Sequence, residues 1–335
     1  MRASGREALV SVDEIEAAAA RIRPVARVTP LIEVPWPSAI DGREPPGGHT
    51  SRLFLKCENL QPMGAFKIRG AYNMLAQLPD EQRRRGVITY SSGNHGQAVA
   101  LAARELGAPA VIVMPTTAPA VKVEGARGYG AEVTFAGTTS LDRKRRAEEL
   151  AAERGLTIVP PFDHPMIIAG QGTVGLEILE QCPTVSAVVV EVGGGGLSSG
   201  VAAAIKQRAP HVRVVGVEPE GAPKMRTSLA AGSPVTLDKT QSIADGLLTV
   251  RPGELTFEHV RAFVDEVVTV PDAAMVSAIR WLFRHARLVV EPSGSVTTAA
   301  LMLGLGGVDP SRGPVVAIVS GGNVEPASYA AYITD

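Results

Sequence analysis

The sequence predicts an α/β protein with a mainly parallel sheet covered by helices on both faces, and three observations carry this. From about residue 86 onward, short Val/Ile-rich runs alternate with longer amphipathic ones. The short runs are apolar almost from end to end, as strands buried on both sides of a parallel sheet must be. Glycine-containing turns at 91–96 (SSGNHG), 193–200 (GGGGLSSG) and 320–323 (SGGN) each follow a strand and are expected to open a helix. They therefore lie at carboxyl ends of strands, where open α/β sheets bind ligands.

The elements follow in order. Ser11, with Glu14 three residues on, forms a capping-box signal that opens a helix through EIEAAAARI (14–22). The Pro- and Gly-rich segment IDGREPPGGHTSR (40–52) reads as a surface loop before the strand LFLKCE (53–58). In GAFKIRGA (64–71), Lys67 falls at the start of a helix between Phe66 and Ile68. Strand and helix then alternate: 86–90 and 94–107, 110–114 and 119–129, 131–135 and 140–154, 156–159 and 165–181. The pattern resumes with 187–192 and 197–208, 212–218 and 221–231, 266–270 and 272–286, and a last strand at 315–319. The turn PPFDH (160–164) is a candidate boundary between lobes.

Composition excludes several classes. The 335 residues carry 33 basic and 34 acidic side chains, a net charge of -1, so nothing favours nucleic acid or anionic membranes as a partner. The basic runs Arg83 to Arg85 and Arg143 to Arg146 sit beside acidic residues, as solvated helix faces do. Two cysteines, Cys57 and Cys182, make no disulfide framework or CxxC pair, and the N-terminus lacks the apolar core of a signal peptide. A soluble cytoplasmic protein acting on a small molecule is the expectation. Six scattered histidines offer no zinc spacing.

Four consecutive glycines, Gly193, Gly194, Gly195 and Gly196, are entropically costly. They fit a backbone that must wrap a phosphate with its amide N–H groups at a helix N-terminus. Two other uses fit less well. A dinucleotide site with Glu218 on a ribose fails because Ser198 stands where GxGxxG needs its third glycine. A GxSxG hydrolase elbow fails because Ser198 lies inside the first helical turn, displaced from the strand end. Lys67 supplies what both lack. A lysine among apolar and small residues has its ammonium disfavoured by desolvation, leaving a nucleophilic amine. Amine and phosphate cradle together indicate pyridoxal phosphate.

At this point the residues resemble a known family. VARVTPL (25–31), KCENLQPMGAFKIRGA (56–71), SSGNHGQAVALAA (91–103), IAGQGTVGLEI (168–178), EVGGGGLSSG (191–200), SIADGLLTVRPGELT (242–256), EPSG (291–294) and SGGN are similar to the threonine dehydratase and serine racemase group of fold-type II pyridoxal-phosphate enzymes. The resemblance covers nearly the whole chain. It implies a tryptophan-synthase-β-like fold of two open, twisted, mainly parallel sheets flanked by helices. The large domain would comprise 1–85 and 158–335, with a small domain inserted at 86–157 and the cofactor between them. It implies Lys67 as the Schiff-base lysine with Phe66 beside the cofactor, Asn94 on the ring hydroxyl and Ser320 on the pyridine nitrogen. Gly193 to Gly196 with Leu197 would hold the phosphate, and Gly246 would place its backbone alongside. Ser91, Ser92, Asn94 and His95 would bind the substrate carboxylate.

The implied reaction is β-elimination of a hydroxy amino acid such as L-threonine or L-serine to a 2-keto acid and ammonia, with Lys67 as general base at Cα. Ser320 carries no charge to hold a proton on the ring nitrogen, which favours elimination over transamination. Racemisation of a serine- or aspartate-type amino acid stands as the alternative, because Ser92 matches the serine that racemases place opposite the lysine. A specialised dehydratase, for example of 3-hydroxyaspartate, is a third. Magnesium-dependent relatives bind their ion near a Glu-Pro matching Glu218 and Pro219, but Lys224 stands where a further carboxylate belongs, so no metal is expected. The chain stops soon after SGGN, so the isoleucine-binding regulatory domain that biosynthetic threonine dehydratases append, and feedback by isoleucine, are not expected. The resemblance implies a homodimer or homotetramer.

Overall fold

The structure, a computed structural model, describes residues 9–37, 52–91, 93–118 and 120–334. The loop expected at 40–52 falls almost wholly outside the described residues. Among the described residues, ten strands form two sheets. The larger uses β1 (Leu31–Val34), β2 (Leu53–Cys57), β7 (Ala187–Glu191), β8 (Arg213–Pro219), β9 (Glu266–Val270) and β10 (Val315–Val319), in the order β1-β2-β10-β7-β8-β9. The smaller uses β3 (Val87–Thr89), β4 (Ala110–Met114), β5 (Glu132–Phe135) and β6 (Thr157–Ile158), in the order β5-β4-β3-β6. Every pairing is parallel except that of β1 with β2. The expected α/β class holds, and β1, which starts at the last residue of VARVTPL, is the strand that periodicity alone did not reveal.

Thirteen helices connect the strands among the described residues: α1 (Val12–Ile22), α2 (Ile68–Leu75), α3 (Asp80–Arg85), α4 (Asn94–Glu105), α5 (Ala120–Gly128), α6 (Ser140–Arg154), α7 (Pro165–Gln181), α8 (Gly196–Arg208), α9 (Lys224–Ala231), α10 (Glu254–Phe263), α11 (Asp272–Trp281), α12 (Pro292–Met302) and α13 (Pro326–Ile333). The Ser11 capping box is present in both directions. The run expected to be helical to 286 ends its α-helix at Trp281, passes through a wider π-helical turn over Leu282–Ala286 and stops at Arg287, whose φ of 59° is left-handed. The run from 221 becomes helical only at Lys224, after Pro223.

Side-chain alternation divides the large sheet into two cores. Ala187, Val189, Val215, Val217, Val315 and Ala317 pack with α11 and α12. Their strand neighbours Val188, Val190, Val214, Val316 and Ile318 pack with α7 and α8. Burial on both faces is why these strands read as unbroken apolar runs. The small sheet repeats the arrangement, with α4 and α5 on the face of Val87, Ala110 and Ile112, and α6 on the face of Ile88, Val111 and Val113.

One expectation is corrected. SGGN opens no helix: α13 begins only at Pro326, and Gly321 instead forms an isolated antiparallel bridge with Ala65. Its backbone is used for tertiary pairing with the segment before Lys67, through Phe66 N–H to Ser320 O and Gly322 N–H to Gly64 O, which holds it extended.

Candidate active site

Lys67 is the N-cap residue of α2, at the end of a segment sewn to the carboxyl end of β10. Phe66 N–H donates to Ser320 O at 3.1 Å, Gly322 N–H donates to Gly64 O at 2.9 Å, and the Asn323 side-chain amide donates to Met63 O at 2.9 Å. Gly64 has a φ of +78°, and a Cβ there would stand 2.4 Å from Asn323 Oδ1, so no other residue fits this crossing. Lys67 and Ser320 are thereby fixed beside one another although 253 positions separate them (320 − 67).

Lys67 is half-buried, and its amine donates to Pro161 O at 2.8 Å, with the nitrogen 5.1 Å from the centre of the Phe66 ring. Burial without a counter-ion lowers its pKa to about 8. His95, on the first turn of α4, is buried, and burial followed by the nearby Lys67 charge lowers its pKa to about 3. Its Nε2 faces Val159 O at 3.1 Å and so carries the hydrogen, which leaves a neutral ring with Nδ1 as an acceptor lacking a partner.

Pro161 and Phe162 connect this amine to the glycine turn. A Cβ on Gly194 would stand 2.3 Å from the Phe162 ring, and one on Gly196 would stand 3.0 Å from its Cβ. Gly195 is the N-cap of α8 with φ +99°, and Thr256 Oγ1 donates to Gly194 O at 2.7 Å. Leu197 is buried behind the turn. Gly246 N–H donates to Ser293 Oγ at 3.0 Å, and its carbonyl oxygen lies 3.2 Å from where a Gly193 Cβ would be. The free amides at the start of a 13-residue helix, lined by glycines, fit a phosphate.

Asn94 opens α4, donates to Glu291 Oε1 at 2.7 Å and accepts from the Asn323 side-chain amide at 2.9 Å. Burial, then the charge of Asp245, pushes Glu291 up to about 8. Ser91 is half-buried and accepts from Gly93 N–H at 3.4 Å. Ser92 lies outside the described residues. Lys67, Phe66, Asn94, His95, the glycine turn, Gly246 and Ser320 thus gather at the carboxyl ends of β3, β7 and β10.

The competing uses of the glycine turn find no support. Ser198 is fully buried and its hydroxyl donates to Gly195 O at 3.1 Å, a turn of the helix away from solvent. Glu218 is equally buried and accepts from Met225 and Arg226 N–H, both at 2.9 Å, so it caps α9 rather than facing the cleft. Lys224 Nζ lies 3.0 Å from Glu218 Oε1 and donates to Val192 O, Ala222 O and Leu247 O at 2.9, 3.2 and 3.0 Å. Among the described residues, no group of three or more His, Cys, Asp or Glu is placed to hold a metal ion. No helix among them is long and apolar enough to cross a membrane.

Sequence reasoning missed Pro161, Phe162, Glu291 and Glu191. It also missed a buried network behind α2. Arg69 donates to Glu58 Oε1 and Oε2, both at 2.7 Å, and to Glu177 Oε1 at 2.6 Å, while Lys56 donates to Glu177 Oε2, also at 2.6 Å. This ties β2, α2 and α7 together behind the Lys67 turn. A charged residue within an otherwise apolar run, as in LFLKC or AVVVE, was the available signal.

A desolvated amine facing a glycine-lined anion cradle, at the carboxyl ends of parallel strands, defines an enzyme class that works through a carbonyl cofactor bearing a phosphate. The family model described as "Pyridoxal-phosphate dependent enzyme" matches residues 22–321, and the chain belongs to that family. The chain is 40% identical over 326 residues to serine racemase of Schizosaccharomyces pombe, covering 97% of this chain and 98% of that one. It is 42% identical over 317 residues to L-threonine ammonia-lyase of Thermotoga maritima, covering 95% and 76%. The solved structure of maize serine racemase superposes with a TM-score of 0.88 at 39% identity, covering 96% of each chain. The fold-type II architecture and the pyridoxal-phosphate cofactor expected from the sequence both hold, and the amine and the cradle fit that cofactor.

Proposed function

We propose that this protein removes water from a β-hydroxy amino acid such as L-threonine or L-serine, releasing a 2-keto acid and ammonia. The observation that carries this reading is the desolvated Lys67 amine, its pKa lowered to about 8, set beside the glycine cradle and Ser320. Pyridoxal phosphate, when bound, supplies an aldehyde that captures amines and a ring that withdraws electrons from Cα. Lys67 would hold the cofactor covalently between turnovers and, once freed, would take the Cα proton on Nζ. Gly193 to Gly196, Leu197 and Gly246 would hold the phosphate through backbone, Asn94 would take the ring hydroxyl, Ser320 would take the ring nitrogen, and Phe66 would lie beside the ring. Ser91, Ser92, Asn94 and His95 would hold the substrate carboxylate, His95 through its backbone N–H in the first turn of α4, since its ring hydrogen is spent on Val159 O. The neutral imidazole of His95 keeps positive charge away from Lys67, which preserves the free amine.

The names of the relatives favour racemisation as a second reading, in which Ser92 would be the residue that exchanges the Cα proton with Lys67 as the other. We further propose that residues 1–85 and 158–335 form one lobe and 86–157 the other, and that the protein works as a cytoplasmic homodimer or homotetramer. Two buried free thiols suit a reducing compartment.

The test is to measure keto-acid release and Cα deuterium exchange together, over L-threonine, L-serine, D-serine and the isomers of 3-hydroxyaspartate and 3-phenylserine. Strong keto-acid release from one substrate supports the lyase and names its substrate. Exchange and inversion without release overturn it in favour of the racemase, and Ser92→Ala should then abolish inversion.

A further inference from the structure

Lys224 is the first residue of α9 and is 0% exposed. Its Nζ is ringed by four oxygens: Val192 O at 2.9 Å, Leu247 O and Glu218 Oε1 at 3.0 Å, and Ala222 O at 3.2 Å. A neutral amine would turn its lone pair toward one of these oxygens, whereas an ammonium is a donor only, with three hydrogens to share among them. Three backbone carbonyls and a carboxylate around one buried nitrogen make the ligand set of a cation site, with the cation carried by the chain itself. Magnesium and calcium hold their oxygens at about 2.0–2.6 Å, so this ring is too wide for either. It suits an ammonium or a monovalent cation of similar size.

A lysine kept only for the ion pair would need Glu218 alone. Two of the three carbonyls instead belong to the segments that build the glycine turn. Val192 O and Gly193 N–H are opposite ends of one planar peptide unit, so holding the carbonyl fixes the direction of the Gly193 amide. Val192 N–H is itself spent on Val217 O at 2.8 Å, which leaves the ammonium as the restraint on the turn side of that residue. Leu247 follows Gly246, whose carbonyl oxygen lies 3.2 Å from where a Gly193 Cβ would be. One ammonium thus clamps both backbone segments close to where they cross. The remaining partners lie beneath the same turn: Glu218 accepts from Met225 N–H at 2.9 Å, and Met225 Cε lies 3.0 Å from where a Gly195 Cβ would be.

We propose that Lys224 is a positioning residue for the phosphate cradle, a tethered monovalent cation that holds the Gly193 and Gly246 segments in the register that binds the cofactor phosphate. The inference rests on the reading of these glycines as the cradle given above. Lys224 acts through backbone and touches neither cofactor nor substrate. Two consequences follow from the tether. The unmodified protein needs no added cation to bind its cofactor, and a variant without the ammonium leaves a ring of oxygens that a free cation of the same size can fill, as carbonyl oxygens replace the hydration shell of potassium.

The experiment is fluorescence titration of the cofactor-free, full-length protein with pyridoxal phosphate, at constant ionic strength in tetramethylammonium, sodium or potassium chloride. The unmodified protein should bind equally well in all three. Lys224→Ala in tetramethylammonium, an ion too large to enter, should bind about tenfold more weakly, because buried carbonyls lose their donors and the cradle amides turn with them. Potassium should restore the affinity. Pyridoxal, which lacks the phosphate, should bind the variant and the unmodified protein alike. Cation dependence in the unmodified protein overturns the proposal, and so does Lys224→Ala binding as tightly as the unmodified protein. A loss that neither potassium nor sodium repairs, or an equal loss for pyridoxal, also overturns it, since a merely structural lysine gives those results. Should Lys224→Ala not fold, Lys224→Met combined with Glu218→Gln is uncharged and fills the space. It should bind pyridoxal phosphate about tenfold more weakly in every salt, and unchanged affinity overturns the proposal. Pyridoxal binding to the unmodified protein as tightly as pyridoxal phosphate marks instead the failure of the cradle reading, and the proposal falls with it.

Discussion

Lys67 Nζ lies 2.8 Å from the carbonyl oxygen of Pro161, a residue 94 positions further along the chain. The contact orients the amine without giving it a charge partner, and Phe162 carries the same segment onto Gly194 and Gly196. One turn thus links the reactive nitrogen to the anion cradle.

Because burial lowers the Lys67 pKa to about 8, capture of pyridoxal phosphate by the cofactor-free protein should accelerate as pH rises through about 8. Only the neutral amine attacks an aldehyde, so the rate follows the deprotonated fraction. The unfolded chain binds a proton that the folded one lacks between about 8 and the ordinary lysine value of 10.5, so the cofactor-free fold should also gain stability across that window. Stopped-flow absorbance measures the capture rate. A midpoint near 10 would contradict the argument, and Lys67→Ala should leave no borohydride-reducible adduct.

Arg69 is fully buried between Glu58 and Glu177, two residues beyond Lys67. Arg69→Met leaves both carboxylates without their fork of donors, and unfolding in denaturant should show a loss of about 3–5 kcal/mol. Arg69→Lys keeps the charge but not the planar geometry and should fall between. A loss below about 1 kcal/mol would place this network among ordinary surface pairs.

Gly195 has φ +99°, and its Cβ would meet Thr256 Cβ at 2.8 Å. Gly195→Ala should cost about 1–2 kcal/mol of stability from backbone strain alone. It should also weaken cofactor binding, measured by fluorescence titration, because the amides are displaced. Gly128 closes α5 with open space around its Cα, and Gly128→Ala should be neutral or slightly stabilising, which makes it the matched control.

Lys224 places an ammonium among Glu218, Val192, Ala222 and Leu247, and Val192 immediately precedes the glycine turn. A divalent chelator should therefore leave both activity and melting temperature unchanged. Lys224→Met should lower stability by about 3–5 kcal/mol, since it removes one member of a buried pair. Adding Glu218→Gln to it should recover part of that loss. Chelator sensitivity of the unmodified protein would sink this account of the site.

Much of the site was legible because its parts are local. A lysine at a helix start, four glycines after a strand and a helix opened by SSGNHG each break a pattern within ten residues, and such breaks are visible in one dimension. Glu191 and Glu291 were not legible in this way. Each is one acidic residue in a short stretch, and its meaning depends on Ser320 or Asn94 arriving from elsewhere. The Phe162 contact was hidden for the same reason: PPFDH reads as a boundary turn, and nothing local indicates that it lies over the cradle.

The sequence by itself determined the class of fold, the lysine amine, the phosphate-binding turn and the family, because apolar period, glycine runs and long motifs are properties of neighbouring residues. The tertiary structure alone decided which groups meet. Strand order placed β10 between β2 and β7, bringing Ser320 to Lys67 on one side and to Glu191 on the other. The same packing removed water from Lys67, His95 and Glu291, and the protonation states on which the chemistry depends follow from that desolvation.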